Sequence, residues 1–199
     1  RDAEAMATQI QKALDVKIVA QLEAPGDEGT LLGKEIVRTE AGFILRASGK
    51  LAQQIVEEAD LTRSKDVQTP MTRERMEEPG QEEIDQAQDG STQYRRLVGQ
   101  MLHLSHDRMD LQCAVKEAAR RVKPPTKAYW KLLTRIGQYL RSYPQGQLRF
   151  ELRSVPREIS VPVDASWQVP STSGGILKFG SAIIKSWART QTVASLSST

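Results

Sequence analysis

The chain has 199 residues, with 28 Lys and Arg against 25 Asp and Glu and a single cysteine. One cysteine excludes an intramolecular disulfide and argues against a cysteine-based zinc site, and apolar runs of only a few residues exclude a membrane-spanning helix. The length is enough for one large or two small domains, and a buried free Cys113 would suit a reducing compartment inside the cell, cytoplasmic or nuclear.

The charges are unevenly distributed along the chain. Residues 1–92 carry 11 Lys and Arg against 19 Asp and Glu, whereas residues 93–199 carry 17 against 6. This asymmetry favours a polyanionic partner for the C-terminal half. The alternative is an acidic linker beside a basic domain that has no such partner.

The N-terminal region begins with an amphipathic pattern. Met6, Ile10 and Leu14 recur every four residues, which is typical of one face of a helix over residues 2–14. Residues 16–22 are a short run rich in β-branched side chains, and they predict a strand.

A hairpin and a second helix complete the region 1–61. Residues 31–37 and 43–46 predict two strands, joined by a turn in which Gly42 can adopt a positive φ. Ser48 is placed to cap the helix that follows. This α-β-β-β-α order has too few strands for a complete domain and indicates an α+β fold whose earlier strands are missing.

Residues 62–92 are rich in charge, proline and glycine, and we expect an acidic linker that wraps over the surface or is mobile. Residues 93–145 then predict a helical block whose three helices turn regular apolar stripes inward. Asp110 is placed to cap the second helix, and Thr126 is placed to cap the third, which ends near Ser142.

Six basic side chains of the helical block are candidate contacts to nucleic-acid phosphates, because Lys and Arg neutralise phosphates without reading sequence. They are Lys116, Arg120, Lys123, Lys127, Lys131 and Arg135. The alternative is a basic face that is simply solvated. Three tryptophans, Trp130, Trp167 and Trp187, are interpreted as core or sheet-packing residues, with stacking of Trp130 or Tyr129 on nucleic-acid bases as the alternative.

The last region, residues 146–199, predicts three strands over 158–189. Asp164 lies in the first of these strands, and the Ser-Thr-Ser-Gly-Gly segment at 171–175 indicates a turn. A single carboxylate such as Asp164 can hold at best a weakly bound, largely hydrated Mg²⁺.

Short motifs follow one another in an order and at spacings that resemble one known family. They are LGKEI (32–36), VQTPM (67–71), YRRLVGQMLHL (94–104), RMDL (108–111), PTKAYW (125–130), RIGQYL (135–140), DASW (164–167), STSGG (171–175) and TVASLSST (192–199). As a set they resemble the copia-type LTR retrotransposon polyprotein, over the C-terminal part of its reverse transcriptase and the start of its ribonuclease H.

The resemblance implies an α+β fold in four parts. They are the end of a palm with a β-hairpin (1–61), an acidic linker (62–92), a helical thumb and connection (93–145), and an incomplete three-stranded ribonuclease H-like sheet (146–199). In the parent family, an RNA-directed DNA polymerase with ribonuclease H, the thumb grips an RNA/DNA template–primer duplex, and Mg²⁺ supports catalysis.

The resemblance also implies that catalysis is lost. Asp164 would be a vestigial catalytic residue and metal ligand, because the polymerase Y-V-D-D motif and the glutamate expected after Thr199 are not in the sequence. We therefore expect an inactive, truncated polyprotein fragment that binds nucleic acid, binds no Mg²⁺ tightly and does not enter a membrane. The alternative is a retroelement-derived protein-interaction subunit, bound to the rest of the polyprotein or to a larger assembly.

Overall fold

A computed structural model describes residues 2–72, 91–122, 125–151, 157–166 and 171–191, and within these ranges the chain is α+β, as predicted. Its helices are α1 (Asp2–Ala13), α2 (Gly49–Glu58), α3 (Ser91–Ser105), α4 (Gln112–Ala119) and α5 (Lys127–Ser142), with a 3₁₀ turn at Met109–Leu111. Its strands are β1 (Glu28–Leu31), β2 (Lys34–Thr39), β3 (Gly42–Arg46), β4 (Gln147–Glu151), β5 (Ile159–Ser160), β6 (Val163–Ala165), β7 (Thr172–Phe179) and β8 (Ala182–Thr190).

The helices α2 to α5 pack around one apolar core. Its largest fully buried side chains are Tyr94, Tyr129, Ile55, Leu97, Met101, Leu104, Leu111, Leu133, Ile136, Leu140, Val98 and Val115. Burying one large aliphatic side chain contributes about 1.5–3 kcal/mol. Helix α2 therefore shares one core with α3 to α5, and the inward stripes predicted for the helical block are confirmed apart from Leu102, which is exposed.

Cys113 is an exception to the predicted burial. It lies on α4 and is exposed, so the prediction of a buried cysteine is wrong. The reason is helical geometry, because Leu111, Ala114 and Val115 take the inward positions and leave Cys113 on the opposite face.

The three predicted helix caps have different outcomes. Ser48 caps α2 as predicted, and its Oγ accepts a hydrogen bond from the N–H of Leu51 at 3.2 Å. Thr126 occupies the cap position of α5, but its side chain makes no capping hydrogen bond. The predicted cap at Asp110 is wrong, because a 3₁₀ turn precedes α4 and the Asp110 carboxylate binds Arg108 instead of helix N–H groups.

The first sheet has the antiparallel order β1-β2-β3-β4. Strands β2 and β3 form the predicted hairpin, in which Thr39 pairs with Gly42. The single strand predicted at 31–37 is divided, because Leu32 and Gly33 form a two-residue turn between β1 and β2. Both residues have positive φ, 52° and 76°, as type I′ hairpin turns require.

The strand predicted at 16–22 is wrong, because the structure assigns no strand to this segment. Part of it packs beside β1 instead. A Cβ added to Gly29 would lie 2.9 Å from the Cβ of Ala20 and 3.4 Å from Cδ2 of Leu22. Because Gly29 has no side chain, the side chains of Ala20 and Leu22 can pack directly against β1 at this position.

Strand β4 brings the chain after α5 back to the first sheet. It pairs antiparallel with β3, with Phe150 opposite Phe43 and Glu151 opposite Gly42. The region 146–199 therefore contributes its first strand to the sheet that contains the hairpin.

The second sheet is antiparallel and has β7 at its centre. Strand β8 pairs along one edge of β7, and β5 and β6 pair along the other edge in one common register. The break between β5 and β6 includes Pro162, which has no N–H to donate, although its carbonyl accepts a bond from Ile176 at 3.0 Å. The sheet therefore has four strands instead of the three predicted, because the segment at Pro162 divides the first predicted strand into β5 and β6.

The turn predicted at 171–175 is wrong, because Thr172 to Gly175 lie inside β7. The physical reason is the neighbouring side chain of Trp187 on β8. A Cβ added to Gly175 would lie 2.1 Å from the indole Cζ2, so this glycine makes room for the ring.

The buried core predicts how stability responds to truncation. Ile55 on α2 is fully buried, whereas Ile184 on β8 is 57% exposed. We expect Ile55→Ala to lower the free energy of unfolding by about 2–5 kcal/mol, because it removes buried carbon atoms and leaves a cavity. Urea unfolding checks this against Ile184→Ala, which we expect to cost well under half as much; equal losses would contradict the described packing.

Candidate nucleic-acid interface

The six predicted basic residues do not form one continuous surface. Lys116 lies on α4 and Arg120 directly follows it, and both form ion pairs with the Glu117 carboxylate, the Arg120 pair at 2.9 Å. Lys116 Nζ also donates a hydrogen bond of 2.6 Å to Thr172 Oγ1 on β7. These contacts join α4 to the second sheet.

Lys116 and Arg120 favour the ionised form of the Glu117 carboxyl group. Partial burial would raise the pKa of the Glu117 carboxyl, but the hydrogen bonds from Lys116 and Arg120 outweigh burial and lower it. The carboxylate therefore stays ionised at neutral pH and offsets part of the positive charge of α4.

Lys127 and Lys131 are arranged differently, on the solvent face of α5. Both are exposed, one helical turn apart, and Trp130 lies between them in sequence. Together with Thr134 they line an open depression of about 440 Å³. Here two ammonium groups and an indole share one surface.

The position of Trp130 is fixed from the core side. Its ring and the Tyr94 ring pack in a T-shaped arrangement, with centroids 5.1 Å apart and planes at 73°. Tyr94 is fully buried, and its hydroxyl donates a 2.8 Å hydrogen bond to the carbonyl of Ala118. Burial raises the pKa of the Tyr94 hydroxyl, so it stays protonated and keeps donating.

The remaining two candidates, Arg135 and Lys123, do not line the depression in the part of the chain that the structure describes. Arg135 donates a 3.0 Å hydrogen bond to Thr69 Oγ1 and so connects α5 to the segment that follows α2. Lys123 lies outside the described residues. The described part of the predicted surface therefore reduces to Lys127 and Lys131, with Lys116, Arg120 and Arg135 engaged in contacts within the chain.

A buried arginine at the other end of α5 was missed by sequence reasoning. Arg108 is 2% exposed, and its NH2 and Nε donate to Asp110 at 2.7 and 3.0 Å. Its NH1 donates to the carbonyl of Tyr143 at 2.8 Å, just after α5. The signal was present in the spacing Arg-x-Asp, because a carboxylate two residues from an arginine can pair with it as readily as it can cap a helix.

The hydroxyl of Tyr139 completes this network. It donates to Asp110 Oδ2 at 2.9 Å, and the Arg108 guanidinium lies 5.8 Å from the centre of the Tyr139 ring. Burial would raise the pKa of Asp110, but the hydrogen bonds from Arg108 and Tyr139 outweigh it and lower the pKa. Burial and the Asp110 charge raise the pKa of the Tyr139 hydroxyl, so it remains a donor.

Asp164 lies on β6, where its side chain is exposed. Its Oδ1 accepts a 2.8 Å hydrogen bond from the N–H of Ala165, and its partner in the register on β7 is Gly174, which has no side chain to offer. Among the residues that the structure describes, no group of three or more His, Cys, Asp or Glu side chains is placed to hold a metal. The described surroundings of Asp164 therefore do not fit a two-metal centre.

Comparison with known proteins gave no match to a family model, to a curated protein or to a solved structure. Within the described ranges, none of the helices combines the length and the apolar character that crossing a membrane requires.

The Arg108 network predicts a pH dependence of stability. Because the folded chain lowers the pKa of Asp110, the ionised carboxylate stabilises the fold above the usual carboxyl pKa of about 3.9. This stabilisation is lost as the pH falls through the lower pKa of the folded state.

We expect Asp110→Asn to lower the free energy of unfolding at pH 7 by about 1–3 kcal/mol, because a buried guanidinium loses its charged partner. The difference from the wild type should shrink below about pH 4. Urea unfolding from neutral to acid pH tests this, with the exposed Asp164→Asn as a matched control. A difference that stays constant with pH would exclude a charged role for Asp110.

Proposed function

We propose that this chain is part of a copia-type reverse transcriptase with the start of its ribonuclease H. In this proposal it acts inside the cell and binds an RNA/DNA template–primer duplex without cleaving it. The observation that carries the proposal is the exposed pair Lys127 and Lys131 on a helix whose opposite face lies in the buried core. A helix anchored in this way can present two positive charges to a phosphate backbone in a fixed orientation.

The positions of the resembling motifs support the same proposal. The LGKEI motif leads into the β2–β3 hairpin, YRRLVGQMLHL lies in α3, and RIGQYL lies in α5. These three motifs lie in elements of the type that the resemblance implies and so support the proposal, whereas STSGG, for which the resemblance implies a turn, lies mostly in β7. Asp164 is on β6, an edge strand of the second antiparallel sheet.

Binding through these lysines should be independent of sequence. A lysine ammonium contacts phosphate oxygens, which are the same at every base pair, and each contact releases a counterion. The affinity should therefore fall steeply as salt is added. The Glu117 pairs make α4 a weaker contributor than its content of Lys and Arg suggests.

The proposal assigns no hydrolysis to the 199 residues. Ribonuclease H chemistry uses two metal ions, about 4 Å apart, that several carboxylates hold together. Asp164 supplies one carboxylate, and the residues described around it do not fit such a pair of ions. Mg²⁺ is therefore expected to bind only weakly.

A second candidate function is protein interaction, with the rest of the polyprotein or a larger assembly as the partner. One face of the second sheet exposes Ile159, Val161 and Val163, with Phe179 beside Ile159 on β7. Exposed apolar side chains gathered on one face are typical of an interaction site. A chain that assembles through this face and shows no salt-dependent affinity for nucleic acid would favour this second function.

The lysine pair provides the test of duplex binding. We expect the double variant Lys127→Ala/Lys131→Ala to weaken binding of a blunt RNA/DNA duplex. The slope of log affinity against log salt should become shallower by about 2, since each lost phosphate contact removes about one unit. Fluorescence anisotropy with two unrelated duplex sequences measures both quantities.

The control makes the same change in charge elsewhere. Lys12 and Lys17 are exposed and lie in or after α1, so Lys12→Ala/Lys17→Ala should leave affinity and slope nearly unchanged. Equal losses in the two double variants would show a general effect of net charge and would remove α5 from the interface.

Hydrolysis gives an independent prediction. An RNA–DNA hybrid incubated with the chain and Mg²⁺ or Mn²⁺ should remain intact at concentrations that saturate binding, and Asp164→Asn should bind it equally well. Gel analysis of a labelled RNA strand reports cleavage directly. Cleavage that disappears in Asp164→Asn would show that this carboxylate works in an active site and would overturn the binding-only proposal.

A further inference from the structure

The depression on α5 contains an aromatic ring beside its two lysines, and a phosphate contact alone would not involve that ring. Its lining side chains are Lys127, Trp130, Lys131 and Thr134, which stand at i, i+3, i+4 and i+7 and therefore share one helix face. Two cations flank an indole, and a hydroxyl follows one turn further on. A ligand that matches this surface has both a flat ring and a negative charge.

The start of α5 adds positive potential at the same place. Lys127 is the first residue of this 16-residue helix, and the Thr126 side chain makes no capping hydrogen bond. The N-terminal end of a helix carries a partial positive charge that favours anions. A phosphate near Lys127 would therefore interact with the ammonium group and with the end of the helix.

An unpaired nucleotide fits this surface better than a base pair does. Inside a duplex, both faces of a base are covered by its stacked neighbours, so only base edges and backbone can reach a protein. A base in a single strand has a free face, and stacking of that face on an aromatic side chain is tolerant of sequence. Trp130 is partly buried against Tyr94, so its ring is held in place before any ligand binds.

We propose that this depression binds one unpaired nucleotide of a single-stranded RNA or DNA segment, with the base stacked on Trp130 and the phosphate next to Lys127 and Lys131. The inference rests on the proposed nucleic-acid binding and specifies that the ligand at this position is single-stranded. A template has such a single-stranded segment wherever it extends beyond the paired region.

The test compares single-stranded and duplex ligands on the full chain. The probes are labelled eight-nucleotide oligo(dT) and oligo(U) and a blunt duplex, all measured by fluorescence anisotropy at one low salt concentration. We expect Trp130→Leu, which keeps an apolar side chain, to weaken both single strands about 10-fold. Duplex binding should change less than about twofold, because the lysines remain. Trp130→Phe should restore most of the single-strand affinity.

Tyr143→Leu is the matched control. Tyr143 is a 39% exposed aromatic residue just after the other end of α5, and its loss should leave single-strand binding unchanged. If Trp130→Leu does not fold, quenching of indole fluorescence by oligo(dT) decides instead, and here persistence means quenching in Trp130→Phe that is as strong as in the wild type. The quenching should be present in the wild type, reduced in Trp130→Phe and absent with the blunt duplex.

Three outcomes would overturn the inference. They are single-strand binding that Trp130→Leu leaves intact, equal losses for single strands and duplex, and quenching that persists in Trp130→Phe. A different result would separate the two proposals. If Lys127→Ala/Lys131→Ala left duplex binding unchanged but Trp130→Leu weakened single-strand binding, the proposed duplex function would be refuted and this inference would stand. The two proposals therefore fail separately.

Discussion

The position of α5 depends on the hydrogen bonds and the ion pair that the buried guanidinium of Arg108 makes. This guanidinium joins the turn after α3 to the C-terminal end of α5, through Asp110 and the carbonyl of Tyr143. It also requires Gly146 just before β4, where an added Cβ would lie 2.1 Å from Arg108 Cδ. A buried cation is stable only when its donors are satisfied, so these contacts must form together.

The candidate interface follows from the same constraint. One end of α5 is held by Arg108, and Trp130 near the other end rests on the buried ring of Tyr94. The stripe between them lies in the core, so the outer face has little freedom to rotate. The backbone positions of Lys127 and Lys131 are therefore fixed on the solvent side of α5. Such a site loses less conformational entropy on binding than a flexible basic tail would.

Sequence patterns predicted the parts of the fold that local interactions determine. Helical periodicity predicted the buried face of α5, and Ser48 was recognisable as a cap from its position alone. The errors arose where distant residues compete with local preference. The β-branched segment 16–22 packs beside Gly29 instead of pairing, and Asp110 binds Arg108 instead of capping α4. At the candidate site, the spacing of basic residues did not reveal which of them would meet carboxylates or hydroxyls of other elements.

The central claim is that nucleic acid binds the outer face of α5. The most direct measurement is the change in backbone amide chemical shifts when a short RNA/DNA duplex with a single-stranded overhang is added to the ¹⁵N-labelled chain. The account predicts that the largest changes cluster at residues 127–134, with small changes in β5 to β8. Changes centred on the second sheet, or the absence of any change at low salt, would contradict it.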